Sequence, residues 1–348
     1  MTAVSRRRIA VVGLGMAVTP HAQSLRDLAQ RVEIVAAYSR SAERRDAFAK
    51  RFGFPVTGDL DAIVGDASID AVLILTPPRT HLPLVETFAR AGKHILVEKP
   101  LEADTARADA VVACCDAARV RLAVVLQHRF RPAARALAER LRSGALGDIA
   151  AASVHVPWWR PQTYYDEPGR GTLSRDGGGV LITQAIHTLD LFLTLTPRVA
   201  EVVAFTATTP LHRMETEDIA CAALRFANGA LGTLNATTAS YPGFVERIEI
   251  VGTRGSAVLA GGKVDLYFHD GRRDTLGEEA TLGGGADPMA FTNEAHRAVL
   301  TEFLDALDDD RPPRNDGGSA LLVHDLIDAV LESSRAHSPI SVRQRSCP

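Results

Sequence analysis

The chain has 348 residues, 46% of them hydrophobic and 23% charged, with a formal net charge of −3. At roughly 100–200 residues per domain, two domains are expected, and the composition is that of an ordinary soluble globular protein. A slightly negative balance with only 5% aromatics offers neither the basic field nor the stacking surface that nucleic acid or an anionic membrane would need.

The four cysteines, Cys114, Cys115, Cys221 and Cys347, form no C-x-x-C pair. Neither a zinc site nor a disulfide framework is indicated, and reduced thiols in the cytoplasm are the expectation. No apolar run approaches the roughly 20 residues that span a bilayer. Ser5-Arg6-Arg7-Arg8 before the apolar Ile9–Val12 superficially resembles a twin-arginine export signal. Cleavage there would remove the first strand and the turn behind it, so the chain is read without export.

In chain order, apolar strand candidates lie at Arg8–Val12, Glu33–Tyr38, Ala71–Leu75, His94–Val97 and Leu122–Leu126. Helix candidates fall between them at Pro20–Arg31, Ala42–Phe52, Leu82–Ala91 and Thr105–Ala118. Thr19 would cap the first helix, with Pro20 at its first position. Continuous apolar strands separated by amphipathic helices predict a parallel sheet covered on both faces.

The pattern changes after Gln127-His128-Arg129-Phe130. A helix over Pro132–Arg142, a strand over Asp148–Pro157 and an irregular aromatic loop from Trp158 to Asp176 lead to Gly177-Gly178-Gly179. A long apolar helix then runs to Thr196. Alternating segments follow at Val199–Ala207, Ile219–Phe226, Ala230–Thr238, Arg247–Gly252, Ala257–Leu259 and Val264–Phe268. Turn pairs such as Asn228-Gly229 predict hairpins and a mostly antiparallel sheet. Gly283-Gly284-Gly285 and Pro312-Pro313 read as loops, and helices over Thr292–Leu307 and Ser319–Ser334 close the chain. The fold is thus α/β in two domains, residues 1–125 and 126–348.

Gly13-Leu14-Gly15-Met16-Ala17-Val18 sits between a strand and a helix, the context of a pyrophosphate-binding turn. Val18 stands where the third glycine of such a turn would be, and an ordinary tight connection is the alternative. An acidic residue after the second strand would hold a ribose 2′-hydroxyl; here Tyr38-Ser39-Arg40-Ser41 stands instead. Ser39 and Arg40 suit a 2′-phosphate, which favours NADP over NAD, unless Arg40 is a plain surface charge. Thr76-Pro77-Pro78-x-Thr80-His81 lies at the carboxyl edge of the sheet, where ligands bind, and Thr80 would cap the next helix.

Lys99, within Glu98-Lys99-Pro100, ends another strand on the same edge, and Pro100 suits a cis bond in a constrained turn. Thr183, His187, Asp190 and Thr194 recur at i, i+4, i+7 and i+11, one polar stripe on a mainly apolar helix. A satisfied core histidine is the plain reading of His187 alone. An amine and an imidazole converging on one pocket would move a hydroxyl proton while a nicotinamide exchanges hydride. His187-x-x-Asp190 has no second ligand cluster near it in sequence, so no metal is expected. Arg160, Tyr165 and Arg170, in the aromatic loop, suit a polyhydroxylated or anionic ligand, with an oligomer contact as the alternative.

With these residues in hand, the chain resembles the Gfo/Idh/MocA oxidoreductase family (glucose–fructose oxidoreductase, inositol dehydrogenase and relatives) over nearly its whole length. The resemblance is carried by Gly13-x-Gly15, Thr76-Pro77-Pro78-x-Thr80-His81, Glu98-Lys99-Pro100, Arg129-Phe130 and Gly177-Gly178-Gly179…His187-x-x-Asp190. It implies a Rossmann domain followed by an α/β domain whose large open sheet mediates homodimers or homotetramers. It implies NAD(P)-dependent hydride transfer on a secondary alcohol or ketone of a sugar, cyclitol or sugar acid. Lys99 would orient the hydroxyl and His187 would act as acid/base. Gly13, Gly15, Met16, Ser39, Arg40, Thr76, Pro77, Pro78, His81 and Glu98 would meet the cofactor. Thr183, Arg160, Tyr165 and Arg170 would meet substrate. Thr183 departs from the family, where many members carry aspartate at that place. A non-catalytic dinucleotide-binding sensor and an NAD-dependent glycosidase are the alternatives within the same resemblance.

Overall fold

The computed structural model describes residues 6–278 and 292–345. Ser5, the Gly283–Gly285 loop and Cys347 lie outside the described residues. Two compact units divide the chain. The first takes residues up to Gln127 together with Thr292–Leu321, and the second takes His128–Phe291 and the residues from Leu322 onward. The expected 126–348 domain is therefore not continuous, because one later segment belongs with the first unit.

The first unit opens with β1 (Arg7–Val12), α1 (Val18–Asp27), β2 (Val32–Tyr38), α2 (Ala42–Phe52), β3 (Val56–Thr57) and α3 (Leu60–Gly65). It continues with β4 (Ala71–Ile74), α4 (His81–Arg90), β5 (His94–Val97), α5 (Thr105–Ala118) and β6 (Leu122–Val124). The strands pair in parallel in the order β3-β2-β1-β4-β5-β6. Every residue of β4 and β6 is buried, as their unbroken apolar runs require when helices cover both faces. The order reverses between β1 and β4, so the chain ends beyond Val12, Ile74 and Val97 lie where such sheets bind ligands.

Helix α1 starts at Val18 with Ala17 at its cap position and no side-chain cap. This corrects the expectation that Thr19 caps it and that Pro20 opens it. Pro20 still lies in the first turn, where its missing N–H leaves no helical bond unmade.

The second unit contributes α6 (Pro132–Arg142), β7 (Ile149–Pro157), α7 (Gln162–Tyr165), α8 (Leu173–Asp176), a π-helical turn at Leu181–Ala185 and α9 (Ile186–Leu195). Strands β8 (Val199–Ala207), β9 (Ile219–Phe226), β10 (Leu231–Thr237), β11 (Arg247–Gly252), β12 (Gly255–Ala260), β13 (Lys263–Phe268) and β14 (Arg273–Gly277) follow. Helices α10 (Glu294–Asp308) and α11 (Gly317–Ala336) and the short β15 (Ile340–Ser341) complete the chain. Helix α10 lies in the first unit, where it packs on α1, and the division between units falls at Leu321, inside α11.

The sheet of the second unit runs β14-β13-β12-β11-β7-β10-β9-β8-β15. Its neighbours are antiparallel except for the parallel pair β7–β10. Strand β9 alternates strictly: Ala220, Ala222, Leu224 and Phe226 are buried, while Cys221, Ala223 and Arg225 are exposed. Helices α6 and α9 cover the buried face. Leu173–Leu195 does reach the length and hydropathy of a membrane span, contrary to the expectation, but 83% of its 18-residue apolar window is buried, as in the core of a globular unit.

Candidate active site

In the first unit, the turn after β1 is built on Gly13, whose φ is +108°. A Cβ there would stand 2.8 Å from the Leu75 carbonyl group and 2.9 Å from Thr76 Cγ2, so both backbone conformation and close packing demand glycine. At Gly15 a Cβ would meet no protein atom within 4 Å; packing does not require that glycine, and its bare backbone is open to a ligand. No side chain caps α1; Val18 N turns back to the Gly15 carbonyl at 3.2 Å, and the positive end of the helix faces the turn, the arrangement that suits a pyrophosphate. Val18 takes the place of a third glycine and is buried, and Met16 is exposed.

After β2, Ser41 caps α2 by accepting a bond from Arg44 N at 3.2 Å. The Ser39 hydroxyl accepts from Ser41 N at 3.3 Å, and Arg45 donates to the Ser39 carbonyl at 2.7 Å. Arg40 is exposed, so its guanidinium stands at the surface beside a fixed serine turn.

The loop after β4 differs in detail from expectation. The Thr80 hydroxyl lies 2.7 Å from both the Pro77 carbonyl and Thr76 Oγ1 and makes no helix cap. His81 is fully buried. Its Nε2 faces the Thr76 carbonyl at 2.8 Å and its Nδ1 the Leu101 carbonyl at 3.1 Å. It therefore braces the loop against the segment beyond Pro100, with its ring nitrogens turned inward. Burial holds His81 below the ordinary histidine range, against the pull of those two carbonyls.

At the end of β5 the Lys99–Pro100 peptide is cis, as expected. The Glu98 carboxylate accepts from the Lys99 amide at 2.9 Å through one oxygen and contacts His21 Nε2 at 2.9 Å through the other. Burial would raise the Glu98 carboxyl, but the hydrogen bond from His21 and the nearby Lys99 charge bring it below the usual carboxylate range. His21, on α1, was not singled out in the sequence.

In the second unit, a Cβ on Gly179 would lie 1.9 Å from the Glu217 carbonyl oxygen, which explains the third glycine of the run. The Glu217 carboxylate accepts from Gly179 N at 3.1 Å and from Leu181 N at 3.2 Å, holding the start of the helical segment. Burial pushes this carboxyl up, against the pull of the N–H donors. Glu217 was missed in the sequence because it lies on a different strand connection, far from the residues it holds.

The segment then makes one π turn before α9, so the single α-helical stripe predicted from Thr183 to Thr194 does not hold. A π turn inserts a residue and displaces Thr183 from the phase of His187. Thr183 Oγ1 donates to the Gly179 carbonyl at 2.7 Å. His187 is largely buried and stacks on His128, with ring centroids 5.1 Å apart. Asp190 is buried and forms a two-pronged ion pair with Arg129. Thr194 bonds back to the Leu191 carbonyl. The polar residues of α9 thus serve distinct partners.

The Trp158–Asp176 loop contains α7 and α8 and is less irregular than predicted. Arg160 is buried, donates to the Trp159 carbonyl at 2.8 Å and lies over the Trp158 and Tyr164 rings. The Tyr165 hydroxyl, also buried, meets Thr238 Oγ1 at 2.6 Å. These two expected substrate contacts are engaged within the unit. Arg170 lies over Tyr164, 4.2 Å from its centroid, and donates to its hydroxyl at 2.7 Å. Gln184, on the π turn, donates to the same hydroxyl at 2.8 Å. Tyr164 and Gln184 were not among the candidate site residues, although Tyr164 lies in the Trp158–Asp176 aromatic loop.

Among the described residues, one group has metal-ligand chemistry: His21, Glu98 and His296, with ligand atoms within 4.8 Å of one another. It lies in the first unit, whereas the His187–Asp190 pair, considered from sequence, joins no such group.

Residues 7–126 match the family model described as the oxidoreductase family, NAD-binding Rossmann fold, and residues 134–258 match the GFO/IDH/MocA C-terminal domain. The chain is 28% identical to an inositol 2-dehydrogenase of Rhizobium meliloti, over 96% of this chain and 99% of that protein. It is 32% identical to a 1,5-anhydro-D-fructose reductase of Ensifer adhaerens, over 65% of this chain and 68% of that protein. Its structure is similar to that of the WlbA dehydrogenase of Bordetella pertussis, solved in complex with NADH and UDP-GlcNAcA. The TM-score is 0.83 and the identity 29%, with 98% of this chain and 100% of the other covered.

Proposed function

Because the chain belongs to the Gfo/Idh/MocA family of oxidoreductases, we propose that Lys99 and His187 handle the proton in its hydride transfer on a sugar, cyclitol or sugar acid. Inositol, 1,5-anhydro-D-fructose and UDP-GlcNAcA, in the names of the similar proteins, share ring carbons bearing hydroxyl or keto groups. The observation that carries the reading is Lys99 at the carboxyl edge of the sheet, its amide held by an ionised Glu98.

The nicotinamide, when bound, supplies the hydride acceptor for oxidation or the donor for reduction. Gly13, Gly15 and Met16 at the start of α1 would hold the pyrophosphate. Thr76, Pro77 and Pro78, braced by His81, and Glu98 would border the nicotinamide side. Ser39 and the exposed Arg40 support a preference for NADP, with a 2′-phosphate held by a guanidinium and a hydroxyl. In oxidation, the Lys99 amine donates a hydrogen bond to the substrate oxygen as it becomes an alkoxide. His187 accepts the hydroxyl proton, and in reduction it returns that proton. Thr183 and Arg170 would orient substrate hydroxyl or acidic groups. Arg160 and Tyr165 support this from beneath by fixing the loop around Tyr164.

A second copy of the chain is the partner proposed for the open sheet face, where Val203, Phe205, Leu231, Val251 and Tyr267 are exposed. A cytoplasmic location fits Cys114, Cys115 and Cys221, which are free.

The test is incubation with NAD⁺ or NADP⁺ and a panel of sugars, inositols and sugar acids. Formation of reduced cofactor with one class supports the reading. Release of a free sugar without net reduction of cofactor would make the chain a glycosidase. Cofactor binding with no turnover of any compound would make it a sensor.

A further inference from the structure

We propose that His21 is a positioning residue for Lys99, acting through Glu98. The inference rests on the reading of Lys99 as the residue that contacts the substrate oxygen.

Each oxygen of Glu98 has a separate task. Oε2 accepts from the Lys99 amide at 2.9 Å, and Oε1 meets His21 Nε2 at 2.9 Å. The carboxylate only accepts, so His21 Nε2 carries the hydrogen and donates it. His21 Nδ1 meets no hydrogen-bond partner among the described residues, so the ring's hydrogen bond runs from Nε2 to Glu98.

The His21 ring is itself fixed. It is fully buried on α1, and His296 of α10 meets it edge-on at 90°, with centroids 4.9 Å apart. Burial, together with the charges of His21 and Lys99, pushes His296 down to about 3, although Glu98 pulls the other way; it stays neutral near pH 7. The charged or titratable groups facing Glu98 are therefore His21, Lys99 and His296, with His81 near enough to feel its charge. Loss of the His21 donor leaves a nearly buried carboxylate with half its hydrogen bonds. The carboxyl then gains a proton or rotates, and either change alters the field and the backbone anchor at Lys99.

The chain has only four lysines: Lys50, Lys93, Lys99 and Lys263. Reductive methylation of the full-length protein with ¹³C-formaldehyde therefore gives a simple NMR spectrum of lysine methyl groups, with Lys99 assigned by its loss in Lys99→Met. In Glu98→Gln and His21→Phe the Lys99 signal should titrate lower than in wild type, by on the order of one pH unit. His21→Gln retains an N–H near the position of Nε2 and should restore most of the wild-type titration. Circular dichroism establishes that each variant is folded.

A His21→Phe titration equal to wild type, beside a shifted Glu98→Gln, would overturn the role of His21. So would a metal ion bound in stoichiometric amount and lost in His296→Ala, because His21 would then be a metal ligand. An active Lys99→Met enzyme would defeat the reading of Lys99 itself. An inactive Lys99→Met beside an unshifted His21→Phe would defeat only the present inference.

Discussion

His128 stacks on His187 with the ring planes inclined at 28°. The ring of His128 is itself pinned: Arg131 donates to its Nε2, and its Nδ1 meets Thr188 Oγ1 at 3.3 Å. Because Nε2 accepts from a guanidinium, the His128 hydrogen sits on Nδ1. Helix α9 therefore supplies both His187 and the hydroxyl that holds its stacking partner.

Removal of that stack should cost turnover while leaving binding intact. An aromatic contact contributes about 0.5–1.5 kcal/mol, so His128→Ala should lower kcat roughly two- to tenfold. His128→Phe keeps a ring in place and should lose less. Equal rates for both variants and wild type would mean that the stack does not orient His187.

The three glycines that frame the two sites should respond differently. Gly179→Ala drives a Cβ onto the Glu217 carbonyl and should cost ~1–3 kcal/mol in urea unfolding. Gly13→Ala should also destabilise, since φ is positive and Leu75 lies against it. Gly15→Ala meets no protein atom and should leave stability unchanged while weakening cofactor binding. Unaltered cofactor affinity in Gly15→Ala would remove the loop from the pyrophosphate site.

Much of this was legible in the sequence. The unbroken apolar runs at Val11, Leu73 and Leu96 identified the parallel sheet, and alternation around Leu224 identified a half-buried antiparallel one. Strand β3 escaped notice because two residues, Val56 and Thr57, carry no period. The π turn escaped because a one-residue insertion leaves composition unchanged while shifting Thr183 out of phase with His187. The return of α10 to the first unit could not be read from local pattern, and so neither could the meeting of His296 with His21. Thr19 and Thr80 have the chemistry of caps, but Thr19 lies inside the first helical turn and Thr80 bonds to its own loop.

Arg40 is the residue proposed to set cofactor choice. Calorimetric titration should show NADP(H) binding at least as tightly as NAD(H). Arg40→Ala should weaken NADP(H) roughly tenfold, the loss of one charge-assisted hydrogen bond, with NAD(H) unaffected. A clear preference for NAD(H) that Arg40→Ala leaves unchanged would reject the reading of Ser39 and Arg40.

Acid stability should reflect His296. Its folded pKa is depressed from 6.5 to about 3, so the folded state binds its proton less readily than the unfolded chain does. The stability it contributes is present above pH 6.5 and is lost as pH falls through the window toward 3. The slope approaches about 1.4 kcal/mol per pH unit while only the unfolded state is protonated. Urea unfolding at pH 7 and pH 5 should show this loss in wild type and a smaller one in His296→Gln. Equal losses in the two proteins would assign the acid sensitivity to other groups.

The central claim is that Lys99 and His187 handle the substrate proton. The direct measurement is kcat for Lys99→Met and His187→Ala on the compound that drives cofactor reduction, with calorimetric cofactor affinity in parallel. Positioned acid/base groups contribute about 10²–10⁴-fold. Each variant should lose turnover by that factor and keep cofactor affinity close to wild type, while Thr183→Ala should lose less. Near-normal turnover in both Lys99→Met and His187→Ala would contradict the assignment.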